Sequence, residues 1–385
     1  MIKIGDIGKI LTGNTPKTSE TENYNSDDIC FVKPSDIPEN NISYINDSEF
    51  YISETARSKA RILPTQSVLV TCIGIIGKVA INQVECAFNQ QINAIIPDLK
   101  KCLPNYLAYA IQYRKEQMQD IANAAVVPIL NKTQFSNIEI NLLSLDKQHE
   151  TITVLCKIGK LISLRKQQLT KLDELVTARF VEMFGESRSN LKGWQTVALQ
   201  EIANVGSSKR VFVEELKKTG IPFFRGTEIG ALAEGKRVVP ELFITQEHYQ
   251  SLCEATGAPA MGDLLMPSIC PDGRIWLVDN ESPFYFKDGR VLWVHPVNKK
   301  INGCYLQHAL KETIMADYES IASGTTFAEL KIFALKALQI MVPPLKLQEL
   351  FSNFVANVER QRLTIQQSLD KLEVLKKSLM QKYFG

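Results

Sequence analysis

The chain has 385 residues, 45% of them hydrophobic and 22% charged, with 44 Lys/Arg against 42 Asp/Glu. That length exceeds what one core usually supports, so two or more domains are expected, and the composition excludes a disordered or fibrous chain. A net charge of +2 supplies no bulk attraction for nucleic acid, so any such face must come from local clustering.

The N-terminal run MIKIGDIGKIL sets charges among its apolar residues and lacks the unbroken apolar core of a signal peptide. After LTGNTPKT (11–18) come ICFVKPSDI (29–37), SVLVTCIGIIGKVAIN (67–82) and AFNQQINAIIP (87–97). Their β-rich composition, bounded by Gly, Pro and Asn turns, predicts strands. The uncharged stretch 62–77 is too short for a membrane span and carries Pro64, Gln66, Gly74 and Gly77. GIIGK at 74–78 is no phosphate loop, because two residues rather than four separate its glycines and Val79 follows the lysine. It reads as a hairpin turn with Lys78 at the surface. NYLAYAIQY at 105–113 predicts an amphipathic helix.

Residues 146–185 contain no proline, and Gly159 is their only glycine before the end. Leu155, Ile158, Ile162, Leu169, Leu172, Val176 and Met183 recur at three-four spacing, the stripe of a helix meant to pair with another. Arg165 and Arg179 interrupt it. The stretch ends on Phe184-Gly185, and the chain ends on Phe384-Gly385, 200 positions later. Val355, Val358, Ile365, Leu369, Leu372, Leu379 and Tyr383 form the corresponding stripe of residues 346–385, with Arg362 and Lys376 as its basic breaks. Each helix follows a short strand, with Pro343-Pro344 stiffening the second start where the first has Leu143-Ser144. The pairs Met183-Phe184 and Tyr383-Phe384 are expected to close each helix against the opposite globular domain.

Earlier phrases repeat more faintly. IPFFRGTEI (221–229) aligns with ICFVKPSDI, DLLMPSICPDGRIWLVD (263–279) with 67–82, YFKDGRVLWVHP (285–296) with 87–97, and CYLQHALKE (304–312) with 105–113. The chain is thus one plan written twice. The expected fold class is α+β: two similar globular domains, each followed by a long helix, the helices pairing as an antiparallel coiled coil with pseudo-twofold symmetry. The segments are 1–145 (domain 1), 146–185 (helix 1), 186–345 (domain 2) and 346–385 (helix 2). The helical segments carry 7 Lys/Arg each, against 5 and 4 acids, which leaves both globular segments slightly acidic.

No self-contained catalytic site is visible. The eight cysteines are scattered without a C-x-x-C pair and read as reduced thiols in a cytoplasmic protein, and the four histidines form no ligand pair. Pro271-Asp272 with Glu329-Leu330-Lys331 spells a nuclease signature formally, as chance strings do. No metal site is expected.

The order LTGNTPKT, FVKPSDI, TCIGIIGKVAI, NQQINAIIP, PPLKLQE (343–349) and the paired Phe-Gly helices resembles the specificity subunit of a type I restriction–modification enzyme, over essentially the whole chain. The second domain departs from it, with VGSSKRVF in place of the G-x-T-P phrase and CPDGR in place of GIIGK. The resemblance implies a non-catalytic subunit that recognises a bipartite double-stranded DNA target. It would direct two adenine-methyltransferase subunits and, through them, a restriction motor-nuclease. S-adenosylmethionine, ATP and Mg would belong to those partners, and no cofactor to this chain. A non-catalytic protein-interaction scaffold, or the DNA-recognition subunit of a methylation-only or other phage-defence system, are the alternatives.

Base edges and phosphates call for amides and cations at strand ends and loops. The first domain offers Thr15, Lys17, Lys33, Lys59, Arg61, Lys78, Asn89, Gln90 and Gln91. The second offers Lys209, Arg210, Arg225, Lys236, Arg237, Arg274, Lys287 and Arg290, with Thr325 and Thr326 in a glycine-led loop.

Overall fold

A computed structural model describes residues 1–39, 41–122, 127–297, 300–323 and 328–385. The chain forms two compact units, residues 1–167 with 366–385, and residues 168–365. Each long helix therefore gives one end to each unit.

In the first unit, Gly8–Thr12, Ile92–Pro97, Val68–Thr71, Val79–Asn82 and Ser43–Ile45 lie side by side in that order as one sheet. A second sheet runs Tyr51–Ile52, Ile29–Val32, Cys86–Phe88, Ile62–Leu63, its two central strands parallel. Val68–Thr71 and Val79–Asn82 are buried at every position. Covered on both faces, they read in sequence as continuous apolar runs rather than alternating ones. The helix Pro104–Tyr113 packs its buried Tyr106, Leu107 and Ile111 over this core, with Pro104 at its first position where no amide partner is needed.

The second unit repeats the plan. Ala203–Gly206, Val291–Pro296, Leu264–Pro267 and Trp276–Leu277 make its main sheet, and Ile221–Phe224 lies between Phe243–Ile244 and, in parallel, Tyr285–Phe286. The helix Gly303–Ile321 takes the place of Pro104–Tyr113.

The long helices run Leu145–Phe184 and Leu345–Phe384, 40 residues each, starting one residue before the segments read from sequence. In the first unit Leu155 shares a core with Met380 and Phe384, while Lys166 Nζ meets Glu373 Oε1 at 2.9 Å, so the two segments run antiparallel. In the second, Phe184 stacks edge-on to Phe351 at 5.6 Å and Arg362 pairs with Asp173, again antiparallel. Leu155, Ile158, Ile162, Val176, Val355, Val358 and Leu369 are buried. Leu169, Leu172, Ile365, Leu372 and Leu379 are half-buried, as are Met183 and Tyr383. A stripe residue that packs on one partner helix alone keeps an edge in water.

Two devices seat these helices, each present twice. Near their starts, Gln148 and Gln348 are fully buried. Gln148 accepts from the Leu103 amide at 2.9 Å and donates to the carbonyls of Lys101 (2.9 Å) and Leu143 (2.8 Å). Gln348 accepts from Asn302 (2.8 Å) and donates to Lys300 (3.0 Å) and Pro343 (2.7 Å). The side chain thus ties the long helix to the chain just before Pro104–Tyr113 in the first unit and Gly303–Ile321 in the second. The first copy does this with Ser144 where the second has Pro344, so the proline is dispensable to the seat.

At their ends, Phe384 packs on Tyr106 (5.1 Å between ring centroids), and Phe184 on Tyr305 (4.8 Å). Arg114 donates to the Phe384 carbonyl (3.0 Å) and the Trp194 indole to the Phe184 carbonyl (2.9 Å), satisfying acceptors the helix termini leave open. Gly185, at φ +84°, supplies the left-handed residue that ends the first helix.

His308 lies edge-on to Phe351 at 5.1 Å. Burial, with Lys311 nearby, pushes its imidazole down to about 4. A base depressed from 6.5 in the unfolded chain stabilises the fold above that pH and loses the contribution as pH falls toward 4. Acidification from pH 7 to 5 is therefore expected to cost the second unit about 2 kcal/mol, and His308→Gln to remove that dependence, read from urea midpoints across pH. Gln148→Ala or Gln348→Ala strands one amide and two carbonyls. Each change is expected to cost about 2–4 kcal/mol in the same assay, with Gln→Glu failing to restore it because the two donors are lost.

Candidate nucleic-acid interface

In the first domain the site is built on two chain segments that touch through their backbones. The Gly13 and Asn14 amides donate to the carbonyls of Ile92 and Phe88, both at 3.0 Å. A Cβ at Gly13 would lie 2.0 Å from the Asn89 carbonyl oxygen, so only glycine lets the 11–18 phrase lie against the turn 88–91. That approach sets Thr15 Oγ1 on Gln90 Oε1 at 2.7 Å. Asn89 is buried. Its side chain accepts from the Gln91 amide (3.1 Å) and donates to Gln91 Oε1 (2.9 Å), so it shapes the turn rather than facing outward. Gln90 is exposed and Gln91 half-buried at the tip.

Asn14 ties this edge to a third segment, donating to the Lys59 carbonyl (2.7 Å) and accepting from the Arg61 amide (2.8 Å). Lys59 itself is consumed. Its ammonium meets Glu20 (3.0 Å), Glu22 (2.9 Å) and Asn23 (3.0 Å), and the Glu22 and Glu20 carboxylates raise its pKa. The Arg61 guanidinium is turned onto the Thr12 carbonyl, whereas Lys17 lies 3.9 Å from Glu20.

Lys33 sits 3.0 Å above the centre of the Phe50 ring, and Asp36 accepts its backbone amide at 2.7 Å. Lys78 is half-buried, not at the surface as its turn suggested, because its ammonium reaches across to the Pro34 carbonyl at 2.9 Å.

The second domain gathers four of its cations. Arg225, Arg274, Lys287 and Arg290 line one cavity of about 540 Å³ with Thr227 and Ser268. Each is held by a carboxylate: Arg225 by Glu228 and Glu241, Arg274 by Asp272 (2.7 Å), Lys287 by Asp288 (3.1 Å), Arg290 by Glu329. Burial works against the charge on Glu228, but hydrogen bonds from Arg225, Thr227 and the backbone outweigh it and draw the carboxyl down to about 2. These pairs fix the guanidinium forks in place before any ligand arrives.

Arg210 lies near this group through Asp288 (3.0 Å). Lys209 and Arg237 are exposed, and Lys236 is paired with Glu234. Thr325 and Thr326 fall outside the described residues. Asp272 of the formal nuclease string is spent on Arg274, and the described residues hold no group of His, Cys, Asp and Glu suited to a metal. The eight cysteines are free thiols, with burial pushing Cys72, Cys86, Cys102 and Cys270 up to about 12. No described helix is long and apolar enough to cross a membrane.

The carboxylates and Asn14 were missed in the sequence. One signal was readable: Asp36 and Glu228 each stand three residues after a cation, the spacing of a cap that accepts the preceding amide.

Residues 1–174 and 191–374 match the family model described as type I restriction modification DNA specificity domain. The chain is 26% identical to the type I restriction enzyme MjaIX specificity subunit of Methanocaldococcus jannaschii, covering 99% of this chain and 91% of that one. It is 33% identical to the HindI specificity subunit of Haemophilus influenzae, over 36% of this chain and 31% of that one. In fold it is similar to a crystal structure of a type I restriction–modification S subunit from M. genitalium. The TM-score there is 0.57 at 15% identity, over 100% of this chain and 95% of that one.

Gly13→Ala forces the 88–91 turn away from the 11–18 phrase. A cost of about 1–3 kcal/mol is expected in the denaturant midpoint, as for an overpacked core position, and an unchanged midpoint would show that the two backbones are not in contact.

Proposed function

The chain belongs to the type I restriction–modification DNA specificity family, recognition subunits rather than catalysts, and from that premise we propose that each globular domain reads one half of a bipartite DNA target. The observation that carries this reading is the repeat itself. Each unit sets a turn at the end of its main sheet beside cations positioned by neighbouring groups, and the turns differ, Asn89-Gln90-Gln91 against Lys287-Asp288-Gly289-Arg290. One scaffold carrying two different tips suits two different half-sites. The candidate set comprises amides at the first tip, with the cations Lys33, Lys59, Arg61 and Lys78 in the same domain, and cations at the second tip, with Thr15, Lys17, Lys209, Arg210, Lys236 and Arg237 at their margins.

The long helices would act as the ruler between half-sites and as the seat for two methyltransferase subunits, through which a restriction motor-nuclease is engaged. S-adenosylmethionine, ATP and Mg would be bound by those partners. The MjaIX relative is named as the specificity subunit of a type I restriction enzyme, which supports the same assignment.

Binding of a duplex pool by the purified chain should weaken steeply between about 50 and 200 mM salt in a gel-shift titration. Salt-independent retention or no binding would instead favour a protein scaffold. One heptad inserted in both helices adds about 10 Å, so the methylated motif should gain about three base pairs of spacer. A methylome that keeps its original spacer after that insertion would sink the ruler.

A further inference from the structure

Equivalent strand pairings and hydrogen bonds set several positions of the two domains in correspondence, and this separates their cations into two kinds. Val32 lies beside Phe88 as Phe224 lies beside Phe286, so Lys33 and Arg225 occupy one position. Asp36 accepts the Lys33 amide at 2.7 Å, and Glu228 the Arg225 amide at 2.9 Å. Gly77 and Gly273 both have positive φ (85° and 64°), and Lys78 and Arg274 follow them. Lys78 donates to Pro34, next to Lys33; Arg274 lines the same cavity as Arg225. At the tips, the Cys72 amide meets the Gln91 carbonyl (2.7 Å) as Ser268 meets Arg290 (2.9 Å), so Gln91 and Arg290 correspond.

At the first two positions the domains exchange lysine for arginine and keep the charge. At the tip they exchange an amide for a guanidinium and change the hydrogen-bonding pattern. Lysine and arginine are poor substitutes where a planar fork reads a base, but either serves where a point charge meets a phosphate. Resting on the DNA-binding reading above, we infer that Lys33, Lys78, Arg225 and Arg274 are phosphate clamps common to both domains, and that Gln91 and Arg290 discriminate bases, Arg290 selecting guanine. Among the described residues Glu329 holds the Arg290 guanidinium through Nη1, which leaves the other nitrogens of the fork for a base edge.

The test uses the full chain with two probes: a random-sequence duplex, and the duplex it selects from a randomised pool. Lys78→Gln and Arg274→Gln should each reduce the slope of log affinity against log salt by about 1, weaken both probes in the same proportion, and select the same sequence. Lys78→Arg and Arg274→Lys should recover the slope, which sets charge apart from folding. Arg290→Gln should lose discrimination at one guanine by on the order of 10–100-fold and select a different second half-site. A Lys78→Gln or Arg274→Gln protein that changes its selected sequence with the slope intact overturns the assignment. So does an Arg290→Gln protein that weakens both probes equally and keeps its sequence. A wild-type chain with no salt-dependent binding to either probe overturns the DNA-binding reading itself.

Discussion

A 40-residue helix with one apolar stripe has to bury that stripe against something, and the rest of this molecule follows from how that is done. Each helix gives one end to each unit, where it meets the other helix and a layer from the globular domain. Phe184 and Phe384 are the deepest expressions of this, large rings that lose almost all exposure to water. Burying such a side chain is worth about 2–3 kcal/mol, while the buried glutamines near the other ends add direction that apolar contact lacks. A fully buried amide with three partners tolerates no change of register. Within each unit the result is a fixed seat for the helix ends on the globular domain.

The electrostatics of the candidate interface follow from the near-zero net charge. With almost as many acids as bases in the chain, an attractive face requires that cations be sorted and aimed. Carboxylates do the aiming: Glu228, Asp272, Asp288 and Glu329 each hold a cation of the second domain's cavity. The cations of these pairs stay partly exposed, and ion pairs reached by solvent contribute little stability, since solvent screens them and ordering long side chains costs entropy. Their use is geometric. In the first domain the same economy removes Lys59 from the face, because three acceptors surround it.

Much of the fold was legible in the sequence because it rests on periodicity. A three-four stripe over five heptads, no proline, and the same Phe-Gly ending twice define two long paired helices, and the strands announced themselves as apolar runs between turn residues. The domain repeat was readable to the level of KPSD against RGTE. What sequence reading placed less well were single side chains. Lys78, expected at the surface, reaches Pro34; Asn89, a candidate for base contact, is buried and braces its own turn. In each case the polar side chain takes an unsatisfied partner close in space, which is distant in sequence for Lys78 and two residues on for Asn89.

By itself, then, the sequence determined the class of protein, the helices, the repeat and the family, since these depend on local spacing and order along the chain. Only the tertiary structure decided which cations share a cavity, which are neutralised by carboxylates, and that Gly13 is needed for one backbone to lie on another. The shared cavity, the Gly13 approach and pairs such as Arg290–Glu329 and Lys59–Glu20 join residues tens of positions apart, and even local pairs such as Arg225–Glu228 show their partner only in the folded chain. Composition carries no record of them, and they exist only once the sheets have closed.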